Sequence, residues 1–141
     1  MSKKYKKTVP SDPDILPEVE EFVMDIAERS NLNKSKFNNL ALSVAEAASN
    51  SIIHGNKLDI NKKVHIEIRV DDSTFQVSFR DEGKGFRLSN VPDPTKPENI
   101  LKDSGRGIHI MKSFLDDIKF NFTHEGTEVI LILNLDNKDD S

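Results

Sequence analysis

Val64-His65-Ile66-Glu67-Ile68-Arg69-Val70, then Asp71-Asp72-Ser73, then Thr74-Phe75-Gln76-Val77-Ser78-Phe79: on this stretch the fold turns. Val64, Ile66, Ile68 and Val70 alternate with polar residues, and Phe75, Val77 and Phe79 do the same. A period of two marks a strand with one buried face. The Asp71-Asp72-Ser73 turn joins the two strands as a hairpin, which requires antiparallel pairing. Upstream, apolar residues recur at three and four from Ile15 through Leu16, Val19, Phe22, Val23 and Ile26, one face of a helix over 15–29. A second helix is expected over about 35–54, with Phe37, Leu40, Ala41, Val44, Ala48 and Ile52 as its core stripe and Gly55 as its stop. The lysine-rich start, with Tyr5 and Val9, reads as an edge strand or a frayed arm.

Downstream, residues 81–107 hold four of the six glycines and Pro92, Pro94 and Pro97 and read as a long loop, which inside a compact domain is usually functional or mobile. Helical spacing returns at Ile108, Met111, Phe114 and Leu115, and two strands follow near 118–123 and 127–135. The order β-α-α-β-β-loop-α-β-β predicts an α+β fold, a two-layer α/β sandwich. Its sheet should be mixed but mostly antiparallel, with helices on one face. Residues 1–135 are expected to form a single domain and 136–141 a disordered acidic tail.

Composition narrows the function classes. Twenty basic and 24 acidic residues give a net charge of −4, with 35% apolar and 31% charged residues in a chain of 141. That balance speaks against a protein built mainly to grip nucleic acid. With no Trp, one Tyr and eight Phe, a base-stacking platform is not expected either. No apolar run approaches the roughly 20 residues of a membrane helix, and no apolar stretch follows the first lysines, so a cytoplasmic protein is expected. Without cysteine there is no thiolate nucleophile and no Cys-based zinc site.

Four motifs could carry chemistry. On the second helix Glu46 and Asn50 stand one turn apart, opposite the core stripe and flanked by Leu42 and Ile53. Taken alone, such a pair is commonly surface decoration. Asp81-Glu82-Gly83-Lys84-Gly85-Phe86 follows a strand directly, so a carboxylate at the strand end could face a flat ligand while the glycines admit close approach. It is neither a Rossmann fingerprint nor a Walker A loop. Ser104-Gly105-Arg106-Gly107 opens a helix, where freed backbone N–H groups and a guanidinium suit a phosphate. Glu125-Gly126-Thr127 is by itself a hairpin turn.

In this order the four motifs resemble the N, G1, G2 and G3 boxes of the GHKL ATPase superfamily, the Bergerat fold. The N box is Glu46-Ala47-Ala48-Ser49-Asn50-Ser51-Ile52-Ile53-His54-Gly55, G1 is Asp81 to Phe86, G2 is Ser104-Gly105-Arg106-Gly107-Ile108-His109-Ile110-Met111, and G3 is Glu125-Gly126-Thr127. The Pro10-Ser11-Asp12-Pro13 opening and the Leu115-Asp116-Asp117 ending narrow the resemblance to anti-sigma-factor serine/threonine protein kinases of the RsbW type. The G3 box departs from the pattern in lacking its first glycine.

The resemblance implies ATP and Mg²⁺ as cofactors, with Asn50 as the metal ligand and Glu46 as general base for a target serine. It implies that Asp81 accepts from the adenine amino group, with Gly83 and Gly85 beside it and Thr127 assisting. Gly105, Arg106, Gly107 and Ile108 would surround the phosphates under a lid over 86–104. Lys84, Lys96 and Lys102 would join Arg106 there, which lets an acidic protein hold ATP. The implied activity is phosphorylation of a STAS-type antagonist by an anti-sigma factor. The implied partners are a sigma factor and that antagonist, in a homodimer, with no direct nucleic acid and no membrane. The competing expectation is an ATP-dependent module that sequesters a partner without kinase turnover.

Overall fold

Strand pairing organises the molecule. A computed structural model describes residues 2–83, 115–123 and 126–135. Strand β1 (Lys3–Pro10) leads through a short 3₁₀ turn at Pro13–Ile15 into helices α1 (Leu16–Glu28) and α2 (Lys34–Ser49). A π-helical segment, Asn50–Gly55, continues α2, and then come β2 (Lys63–Val70), β3 (Thr74–Arg80), β4 (Asp117–Thr123) and β5 (Gly126–Asn134). The sheet order is β1-β2-β3-β5-β4, with every pairing antiparallel. The lysine-rich start is therefore an edge strand.

Local chemistry fixes each junction. The Asp71 carboxylate accepts from the Ser73 and Thr74 N–H groups, both at 2.7 Å, and so closes the β2–β3 hairpin. Asp12 caps the 3₁₀ turn through the Asp14 N–H at 2.9 Å, with Pro13 at its first position. Asn33 caps α2 through the Lys36 N–H at 2.8 Å.

The strand alternation then decides the packing. Val9, Val64, Ile66, Ile68, Phe75, Val77, Phe79, Val129, Leu131 and Leu133 are all buried on one face of the sheet. Val19, Val23, Ile26 and Ala27 from α1 and Leu40, Val44, Ala47 and Ala48 from α2 complete that core. Each large side chain buried there contributes about 1.5–3 kcal/mol, so this face holds the two layers together. The other face carries Lys4, Lys6, His65, Glu67, Arg69 and Arg80. No helix among the described residues is long and apolar enough to cross a membrane.

Two details differ from the sequence expectation. The α-helix ends at Ser49, and the backbone to Gly55 is π-wound, with the Asn56 N–H donating to Ser51 O at 2.9 Å, five residues back. The wider turn lets Asn50, Ser51 and Ile52 be buried in succession while Ile53 and His54 are exposed. Within α2, Ser43 and Ala47 are buried, whereas Phe37 and Ala41, expected in the core stripe, are half-buried. The expected helix from Ile108, the lid and the tail lie outside the described residues.

Candidate functional site

Asp81 is the next member of the series Phe75, Val77, Phe79. The alternation that buries those rings also turns its side chain toward the helical layer. It is only 4% exposed. Its backbone N–H extends the β3–β5 ladder by one bond, to Thr127 O at 3.0 Å. Its Oδ1 accepts from the Thr127 N–H at 3.1 Å and the Gly83 N–H at 3.0 Å. Oδ2 takes no hydrogen bond among the described residues. One carboxylate oxygen is thus pinned and the other remains an open acceptor.

Two glycines let the chain close around this carboxylate. A Cβ on Gly55, at the end of the π-helical segment, would overlap the Asp81 carboxyl group. Gly126 has φ +155°, and a Cβ there would overlap the Asp81 carbonyl oxygen. Beside Asp81 a cavity of about 460 Å³ is lined by Arg80, Asn121, Phe122, Thr123, Gly126 and Glu128.

Burial pushes the Asp81 carboxyl above its ordinary value of 3.8, and the Thr127 and Gly83 N–H groups pull it partly back. A carboxyl raised on folding favours the protonated native state. Its contribution to stability is complete below the unfolded pKa and is lost as pH rises through the folded one. Asp81→Asn keeps an acceptor oxygen for both N–H groups and removes the buried charge. It is expected to be more stable than the wild type at pH 7 and to lose that advantage near pH 4, as measured by urea unfolding at both values. Equal stability at pH 7 would show that the charge carries no cost there.

Asn50 is the first residue of the π-helical segment and is 9% exposed. Its backbone N–H donates to the Glu46 and Ala47 carbonyls, which keeps Glu46 one turn away as the spacing predicts. Glu46 is half-buried and lines a different cavity, about 590 Å³, with Pro13, Leu16, Pro17, Glu20, Leu42, Ala45 and Ser49. The fold thus gathers Asp81, Gly83 and Thr127 directly, and it sets Asn50 and Glu46 along the helix that ends on Asp81. Gly85, Lys96, Gly105, Arg106, Gly107 and Ile108 lie outside the described residues.

Among the described residues no group of three or more His, Asp or Glu side chains could hold an ion. Mg²⁺ keeps several waters and binds phosphate oxygens, so a single amide oxygen such as that of Asn50 can complete its shell.

The sequence reading missed Asn56. It is 1% exposed and donates to Ser11 Oγ at 2.7 Å and Lys63 O at 2.9 Å, while its Oδ1 accepts from the Glu82 N–H at 2.7 Å. Its place directly after His54-Gly55 was the one local signal, and that reads equally as an ordinary turn residue.

Comparison with known proteins extends the geometry. The family model for the histidine kinase-like ATPase domain matches residues 9–133. The chain is 38% identical over 99 residues to the anti-sigma F factor of Anoxybacillus flavithermus and 38% over 97 residues to that of Bacillus subtilis. Each match spans 65% of this chain and 65% of the relative's own length. A crystal structure of RsbU and RsbW domains from Mycobacterium tuberculosis superposes on 94% of this chain and 32% of its own, with a TM-score of 0.69 at 12% identity. The histidine kinase domain of a blue-light activated kinase from Erythrobacter litoralis covers 89% of this chain and 61% of its own, at TM-score 0.58 and 15% identity. At such identities the structural matches speak to the fold alone.

Proposed function

The chain belongs to the histidine kinase-like ATPase domain family, and from that premise we propose that it is an ATP-binding anti-sigma factor with serine-protein kinase activity. Its substrate would be a STAS-type antagonist and its sequestered partner a sigma factor, with the chain acting as a homodimer. The observation that carries the nucleotide half is the Asp81 carboxylate. One of its oxygens is held by two backbone N–H groups while the other is left open at a strand end. An adenine amino group is a donor that matches such an acceptor. The relatives named anti-sigma F factor support the partner half.

The proposed roles follow from chemistry. Phosphoryl transfer needs positioning and charge neutralisation more than covalent help. Mg²⁺, when bound, supplies part of that neutralisation. Asn50 would hold the ion through its side-chain oxygen. Glu46 would take the proton of the target hydroxyl as that oxygen bonds to the γ-phosphorus and ADP leaves. Thr127 would assist Asp81 through its hydroxyl. On resemblance, Gly85 is assigned the close approach to the adenine, and Lys96, Gly105, Arg106, Gly107 and Ile108 are assigned phosphate and lid contacts.

The test is capture from the native cell with ATP or ADP bound, followed by phosphosite mapping on the captured proteins. A phosphoserine on a small STAS-domain protein is expected. Nucleotide-dependent capture of a sigma factor with no phosphorylated partner would overturn the kinase half and leave a sequestering module. On the same reading, Asp81→Asn is expected to weaken the preference for ADP over GDP about tenfold in titration calorimetry. An unchanged preference would remove Asp81 from adenine recognition.

A further inference from the structure

The Asp81-Glu82-Gly83 turn is held from outside its own strand. Asn56 reaches three segments at once: Ser11 after β1, Lys63 at the start of β2, and the Glu82 N–H after β3. Ser11 is itself 1% exposed and donates to Lys62 O at 2.7 Å. Glu82 returns the grip from the opposite face of the sheet. Its Oε1 accepts from the Lys63 N–H at 2.8 Å, and its Oε2 lies 2.6 Å from His65 Nε2. The His65 Nδ1 lies 3.3 Å from Thr8 Oγ1 on the edge strand. Glu82 is therefore clamped by its main chain on one side and its carboxylate on the other. The residues flanking it, Asp81 and Gly83, are the two ends of the Oδ1 hydrogen bond.

We infer that Asn56, together with the Glu82 side chain, is the positioning clamp that sets the orientation of the Asp81 carboxylate and so the affinity and selectivity for the nucleotide base. This deepens the adenine reading of Asp81 and rests on it. Asn56 is buried and would act through the Glu82 N–H. A binding constellation must be held to about half an ångström by a supporting shell, and a buried amide with its donors and acceptor all engaged is suited to that task. A purely architectural role, tying β1 to β2, would need Ser11 and Lys63 but not Glu82.

The test compares three variants, Asn56→Ala, Ser11→Ala and Glu82→Ala. All are checked by circular dichroism and read by the amide NMR shifts of Gly83 and Thr127 and by titration with ADP and GDP. Asn56→Ala is expected to move both amide resonances, weaken ADP about tenfold or more and flatten the preference over GDP. Ser11→Ala, which removes the bonds to Asn56 and to Lys62 O but leaves the Glu82 N–H on Asn56, is expected to lower the melting temperature and leave both resonances and the preference in place. Glu82→Ala removes a half-buried side chain and is expected to keep the fold even if Asn56→Ala does not. It is expected to shift the Gly83 resonance and weaken ADP several-fold. Unmoved Gly83 and Thr127 resonances in Glu82→Ala and Asn56→Ala would overturn the clamp, as would a loss no greater than in Ser11→Ala. If the wild type binds neither ADP nor GDP, the adenine reading fails, and the NMR shifts of the ligand-free protein still decide the clamp.

Discussion

Glu46→Gln is expected to keep nucleotide binding within about threefold of the wild type while slowing phosphoryl transfer to the antagonist by about 10²–10⁴-fold, the ordinary range for a lost general base. Glutamine has the same length and a similar helix propensity, so α2 is left intact. It can still accept a hydrogen bond, but it cannot take up the serine proton. The two readouts separate because Glu46 lines the groove with Leu42 and Ala45, whereas Asp81 lines a different cavity. Single-turnover transfer and calorimetry with ADP measure the pair. Transfer within tenfold of the wild type would reduce Glu46 to an orienting role or none. A parallel collapse of ADP affinity would place it instead in the nucleotide pocket.

Gly55→Ala is expected to weaken ADP by 100-fold or more and to lower stability by about 1–3 kcal/mol, the usual cost of overpacking. The new methyl would overlap three atoms of the Asp81 side chain. That side chain has little freedom to retreat, because two backbone N–H groups pin Oδ1 and the main chain is already in the ladder with Thr127. Alanine is otherwise the better helix former, so any loss at this position comes from the collision. A hundredfold change corresponds to about 2.8 kcal/mol of binding energy, since each 1.4 kcal/mol is tenfold. Thermal unfolding and ADP titration check the two effects together. A variant that binds ADP within fivefold and melts like the wild type would mean that the carboxylate is not used by the nucleotide.

What could be read from the chain follows from which interactions are periodic. The hairpin from Val64 to Phe79 announces its buried face every second residue, and extending that count by one reaches Asp81. The helices follow from apolar spacing at three and four. The π winding at Asn50 left no such trace. Six residues are too few to separate turns of 3.6 from wider ones, and the apolar pattern of Ile52 and Ile53 fits either. Asn56 was illegible for a different reason. Its partners Ser11 and Glu82 stand 45 and 26 residues away, and a buried amide has the same local sequence as a solvated turn. Gly55 was legible as a helix stop, but its closeness to Asp81 exists only once the helix lies on the sheet.

The hydrogen bond from the Thr127 N–H to Asp81 spans 46 residues. Contacts of such separation form late in folding, because the intervening chain must first be ordered. The carboxylate proposed to meet the base is therefore assembled only when β5 has zipped onto β3. A nucleotide that seeks this acceptor binds the finished fold and ignores the unfolded chain. At a hundred times its dissociation constant it adds about 2.7 kcal/mol to the unfolding free energy. Cellular adenine nucleotide would then act as a chaperone-like ligand, and the lifetime of the protein would rise and fall with its occupancy.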